Sequence, residues 1–188
     1  MTNLPGSSGP GSQWMAQRPR LPLAGKKTGP NPTDRGKRGV KRSVLTDGRG
    51  IPLSAVIDGA NRHDSKLVES TLGAMVVERP VPTPEAPQHL CLDKGYDYEF
   101  VRQIVRHLHY TDHIRSRGEE ASKARPVGYK PRRWVVERSH SWLNRFRGIL
   151  TRWEKKARNY MAMLHLACAL ITFRAAQTFR LKALADAA

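Results

Sequence analysis

The pattern of apolar and polar residues changes at Lys41, and the β-rich runs that follow predict two strands. KRSVLTD (41–47) is the first and IPLSAVID (51–58) the second, with Asp47-Gly48-Arg49-Gly50 as the turn. Asp-Gly between two β-rich runs signals a hairpin, here with a longer loop. Pro52 opens the second run, where a missing N–H does least harm. After Gly59 to His63, Asp64 or Ser65 can cap a helix reaching about Val77. Leu67, Leu72, Met75 and Val76 give that helix a loose apolar face.

The Pro-rich stretch RPVPTPEAPQ (79–88) is a connector. HLCLD follows, a short apolar run ending in a carboxylate. It predicts a buried strand with Asp93 at its C-terminal end. In YDYEFVRQIVRHLH, Phe100, Ile104 and Leu108 recur at helical spacing, so this segment is an amphipathic helix. YTDHIRS is a further short strand, and GEEASKARPVGYKP a loop. RRWVVERSHSWLNRFRGIL reads as one helix, apolar at Val135, Trp142, Phe146 and Ile149. Its opposite face carries Arg133, Glu137, His140, Ser141 and Asn144. A last helix, about Arg158 to Arg180, has Met163, Leu164, Ala167, Leu170 and Ile171 on a broad apolar face. Residues 1–33 show neither period, are rich in Gly, Pro and Ser, and are expected to be disordered or extended. The order of elements is α/β, a hairpin beside a parallel portion of sheet.

Composition narrows the picture. A chain of 188 residues fits one domain and buries a real core, so no covalent staples are needed. Two cysteines, Cys91 and Cys168, exclude a disulfide framework and a zinc cage and read as buried thiols in a reducing compartment. The apolar run Tyr160 to Phe173 is shorter than a bilayer span. No charged n-region precedes an apolar h-region, so no signal peptide is expected. The 33 Lys plus Arg outnumber the 16 Asp plus Glu, for a net charge of +17. That excess points to a polyanionic partner, above all nucleic acid. Between Lys123 and Arg158 twelve Lys or Arg stand with two acids, interleaved with Tyr129, Trp134, Trp142, Phe146 and Trp153. A second basic run spans Lys26 to Arg42.

Two carboxylates stand out by position. Asp93 ends a buried strand, where functional groups gather in open α/β sheets. It can equally cap the turn or helix that follows. Glu137 lies among Arg132, Arg133, Arg138, Arg145 and Arg147. It is either a surface pair with Arg133 or a metal ligand beside a phosphate-binding face.

The runs KTGPNPTDRGKRGVKRSVLTDGRGIPLS, GANRHDS, LCLDKGYD and RRWVVERSHSWLNRFRGILTRWEK resemble the C-terminal part of bacterial insertion-sequence DDE transposases. The nearest group is the insertion sequence 5 type of the insertion sequence 4 superfamily. The resemblance covers about Lys26 to Ala176. It implies a ribonuclease-H-like mixed sheet flanked by helices, with three carboxylates holding two Mg²⁺ ions (or Mn²⁺) that cleave and transfer DNA strands. Asp93 matches the family's second Asp and Glu137 its Glu. Arg133 matches the Arg of its Tyr-x2-Arg-x3-Glu-x6-Lys signature. Lys130 stands at the Tyr position and Asn144 at the Lys position. The implied DNA contacts are Arg132, Arg133, Arg138, Asn144, Arg145, Lys94 and Lys41. The implied partners are transposon ends, target DNA and further copies of the chain, in the bacterial cytoplasm with the nucleoid and away from membranes.

The first Asp has no counterpart, because no Asp or Glu precedes Asp34. Residues 1–25 are therefore read as disordered and unrelated to the family, 26–180 as a partial catalytic domain lacking its first strand, and 181–188 as a tail. An acid-free, aperiodic stretch is what an out-of-frame translation gives. The expected partner is then an upstream half supplying the first Asp. The alternative is a catalytically inactive DNA-binding fragment. A sheet lacking its central strand would be marginally stable.

Overall fold

The computed structural model describes residues 12–17, 25–32, 34–114 and 133–186, with side chains from 25–32, 34–114 and 135–186. Its strands are β1 (Ser12–Gln17), β2 (Gly29–Pro30), β3 (Arg38–Thr46), β4 (Pro52–Gly59), β5 (His89–Leu92) and β6 (Thr111–Ile114). Its helices are α1 (Val68–Gly73), α2 (Glu99–His107), α3 (Arg133–Asn144), α4 (Arg147–Leu150) and α5 (Ala157–Ala185).

The strands form one mixed sheet in the order β4-β3-β1-β5-β6, with short β2 pairing the start of β3. β3 and β4 make the predicted hairpin, closed by Asp47, whose Oδ1 accepts from the amides of Arg49 and Ile51. Gly50 supplies the positive φ that this turn needs. β5 and β6 run parallel to each other, and β1 runs parallel to β5 and antiparallel to β3. A mixed sheet flanked by helices is the architecture that the resemblance implied.

The segment expected to be disordered thus contributes the central strand, and the sheet does not lack its first member. The reason lies in the backbone. Between β3 and β5 a chain meets hydrogen-bonding partners on both sides, and backbone donors and acceptors pair whatever side chains they carry. SQWMAQ shows no alternation from which a strand could be predicted.

Helices cover both faces. β3 is buried almost throughout and its side chains alternate between two cores. Leu45 joins Leu90, Leu92, Tyr96, Val101 and Val105 beneath α1 and α2. Val40 and Val44 join Leu143, Ile149, Tyr160 and Leu164 beneath α3, α4 and α5. Several sequence expectations shift in detail. Val101 and Val105 are the buried face of α2, with Phe100, Ile104 and Leu108 packed around it. The helix expected after Gly59–His63 is a 3-10 turn, Asp64–Leu67, followed by α1, and its cap is His63, whose Nδ1 accepts from the Ser65 amide. The single helix expected over 132–150 is broken at Arg145–Phe146 into α3 and α4. His140, expected on a polar face, is fully buried.

α5 runs on through Ala185, so most of the expected tail is helix. At 29 residues it is long and apolar enough to cross a membrane by length and composition alone, unlike the shorter run read from sequence. Its Tyr160, Leu164, Ala167 and Ile171 stripe is spent on the core, while Leu166, Leu170, Phe173, Leu181 and Leu184 stay exposed.

Candidate active-site region and DNA interface

Asp93 leaves the end of β5 with extended backbone and caps the 3-10 turn Lys94–Tyr96. Its Oδ1 accepts from the Gly95 amide at 2.7 Å. A side chain at Gly95 would crowd that same oxygen, so the Lys-Gly-Tyr sequence lets the carboxylate fold back over the turn. The capping reading of Asp93 therefore holds, and its side chain stays exposed.

Tyr96 is buried beneath this turn. Burial first, then the Asp64 and Asp93 charges, push its phenol well above the ordinary value. The GANRHDS and LDKGYD motifs thus meet around one ring, with the His63 ring edge-on to Tyr98 beside it. Asp64 forms an ion pair with Lys41 at 2.5 Å. Lys41 is 1% exposed and also donates to the Arg62 carbonyl. That is a correction to its reading as a DNA contact. β3 turns the ammonium inward, and it is consumed in holding the 3-10 turn to the sheet.

Asn144 is half-buried and turned to a partner inside the protein. Its Oδ1 accepts from Nη2 of Arg42 at 2.8 Å. Arg42 is 1% exposed, and burial pulls its guanidinium below the ordinary value despite Tyr160 and Cys168 alongside. Burial likewise pushes the Tyr160 phenol up to about 12 and the Cys168 thiol up to about 11. The residue at the signature's Lys position is therefore a ligand of a buried cation. Cys91 and Cys168 are half-buried and not joined in a disulfide.

Glu137 is exposed on α3, which packs against β1. α3 is anchored to the hairpin turn by Ser139 Oγ, donating to the Gly50 carbonyl at 2.7 Å, and by Arg138, donating to the Arg49 carbonyl. Arg138 also lies over the Trp142 ring. β1 therefore stands between the helix of Glu137 and the strand that ends in Asp93. Lys94 and Arg145 are exposed. Arg132 and the side chain of Arg133 lie outside the described residues.

Some residues that sequence reasoning passed over hold this region together. Asn61 fills the space that glycine leaves at both Gly29 and Gly59, so the KTGPN and GAN motifs interlock. Arg152 is fully buried and donates to the carbonyls of Lys26 and Glu154. Arginine in a basic run gives no signal of burial, and paired glycines reveal a close approach only when the partner is known.

A pair of Mg²⁺ ions needs oxygen ligands from several carboxylates. Among the described residues the donor set does not fit, since no three His, Cys, Asp or Glu side chains come together. β1, between the two candidate carboxylates, reads Ser-Gln-Trp-Met-Ala-Gln and carries no acid.

A family model described as the transposase DDE domain matches residues 7–172, including the β1 segment read from sequence as unrelated. The chain is 37% identical over 147 residues to a Burkholderia cepacia protein described as a transposase for insertion sequence element IS402. That match spans 77% of this chain and 68% of the relative. A solved structure of the catalytic core domain of BIV integrase aligns at TM-score 0.42 and 17% identity, over 83% of this chain and 80% of that one.

Proposed function

Because the chain belongs to the DDE transposase family, whose work is DNA transposition, we propose that it is the DNA-binding catalytic fold of an insertion sequence 5 type transposase, short of one metal ligand. Asp93 and Glu137 are the second and third carboxylates of that reading, with Mg²⁺ or Mn²⁺ as the ions they serve. The observation that carries it is β1: the first strand is present and central, yet acid-free. Strand cleavage and transfer then wait on a carboxylate supplied by another form of the gene product.

What the chain does by itself is hold DNA. Arg133, Arg138, Arg145 and Lys94 contact phosphates rather than bases, because a cleavage site must tolerate the backbone it cuts. Arg132 belongs to the same group. Lys41 is excluded from it by its burial and its partners, and Asn144 is set apart by its hydrogen bond to Arg42. The exposed apolar residues of α5 support assembly with further copies of the chain on transposon ends and target, in the bacterial cytoplasm with the nucleoid.

The test is a salt-titrated duplex-binding assay run beside a nicking assay on the transposon end with Mg²⁺ or Mn²⁺. The expected result is binding that weakens steeply and log-linearly with salt, without nicking. Nicking by this chain, abolished by Asp93→Ala or Glu137→Ala, would refute the incomplete-site reading. Salt-independent binding would refute the DNA-holding role.

A further inference from the structure

The genetic code fixes most of the bases beneath Gln13-Trp14-Met15-Ala16. The codons are CAR, TGG, ATG and GCN, where R is a purine and N any base. Read instead from the third base of the glutamine codon, the same bases are RTG, GAT and GGC. These specify valine or methionine, then aspartate, then glycine, whichever synonymous codons the gene uses. The aspartate codon takes its last two bases from the codon of Met15.

We propose that position 15 is the missing first-carboxylate position, and that the gene encodes its aspartate in this overlapping frame. The inference rests on the transposase reading above and deepens it.

The structure supplies an independent register. β1 and β5 are parallel, with Ser12 opposite Leu90 and Gln13 opposite Cys91. Two residues further along the same register, position 15 comes level with Asp93. Residues level with each other on parallel neighbours share a face of the sheet. An aspartate at position 15 thus stands beside Asp93, on the strand against which the helix of Glu137 packs. Aspartate takes a small minority of codons, and here it falls at the register position where the third carboxylate is needed.

Two features of the sequence agree. Residues 1–33 contain no acid at all, which a protein-coding frame seldom produces over such a length and a displaced frame readily does. The change of character also comes at Lys26-Lys27-Thr28, whose codons are AAR, AAR and ACN. With adenine at the free positions these form an uninterrupted adenine run. Slippage by one base on such a run preserves base pairing, and a one-base difference there passes from the overlapping frame into the frame of KTGPNPTDRG. The strand slot between β3 and β5 accepts the displaced residues because backbone pairing fills it.

The test has two arms. The first is the nucleotide sequence of the gene. The overlapping frame is expected to stay open from upstream of its aspartate codon to the adenine run. A stop codon in that interval, for which Arg20 and Gly25 leave room, would overturn the proposal. The second is Mn²⁺ titration, followed by electron paramagnetic resonance, of this chain and of its Met15→Asp variant, with circular dichroism to show that both fold. Met15→Asp is expected to tighten Mn²⁺ binding about tenfold or more. Adding Asp93→Asn is expected to remove the gain. Equal affinity in the two folded proteins would overturn the proposal. If Met15→Asp does not fold, residues 13–25 are replaced by their overlapping-frame translation and the same gain is required. Duplex binding, measured without metal, reports separately on the DNA-holding reading.

Discussion

Asn144→Ala separates a structural asparagine from a phosphate contact. In the fold, Asn144 Oδ1 takes a hydrogen bond at 2.8 Å from Arg42, a guanidinium with 1% exposure. Hydrogen bonds to charged groups contribute about 1.5–3 kcal/mol, and removing one partner leaves the other to bear its desolvation. Arg42 also has a long contact to the Ile149 carbonyl at 3.5 Å, weaker than the bond to Asn144. A cost of about 2 kcal/mol follows, which lowers Tm by roughly 4–8 °C in a chain of this size. Thermal unfolding by circular dichroism measures it. Duplex binding below the transition is expected to keep its salt dependence, whereas losing one phosphate contact would reduce the log–log slope by about 0.9. An unchanged Tm with a reduced slope would refute this reasoning and restore Asn144 to the DNA interface.

Lys41→Met should cost about 1–3 kcal/mol in urea unfolding, because Asp64, a third exposed beside the buried Tyr96, loses its ion pair, with duplex affinity of the folded chain unchanged. Gly29→Ala should lower Tm, since the added methyl overlaps the Asn61 side chain, and Asn61→Ala should partly rescue it. His113 is held below its ordinary value, by burial first and by His89 second, with Asp112 opposing. The unfolded chain therefore binds the proton more readily, so this stabilising contribution is present above about pH 6.5 and is lost as pH falls below it. Tm measured from pH 7.5 to 5 should fall, and less steeply in His113→Gln. Cys168, at about 11, should be alkylated at pH 8 more than about a hundredfold slower than in the unfolded chain, as read by mass spectrometry.

The hairpin, β5, α2, β6 and α5 were legible because each carries a local signal: Asp-Gly between strands, an apolar run, or helical spacing of apolar residues. Asp93 was legible as the carboxylate at the end of a strand and the cap of the turn that follows. β1 was not, because its pairing is a property of the slot between β3 and β5 rather than of SQWMAQ. Lys41 and Asn144 were misjudged for a related reason. A lysine and an arginine adjacent on a strand look like a basic patch, but alternation sends Lys41 to Asp64 on one face and Arg42 to Asn144 on the other. The break between α3 and α4 lies in a sequence with no proline or glycine at that point. Only the packing of Ile149 beneath Tyr160, whose hydroxyl donates to the Ile149 carbonyl at 2.9 Å, marks it.

The central claim is that this is a transposase catalytic fold short of one carboxylate on β1. The most direct measurement compares Mn²⁺-dependent nicking of a transposon-end duplex by the chain, by Met15→Asp, and by Met15→Asp combined with Glu137→Ala. Nicking is expected in Met15→Asp only. Equal nicking by the unaltered chain, or nicking that survives Glu137→Ala, would contradict that claim.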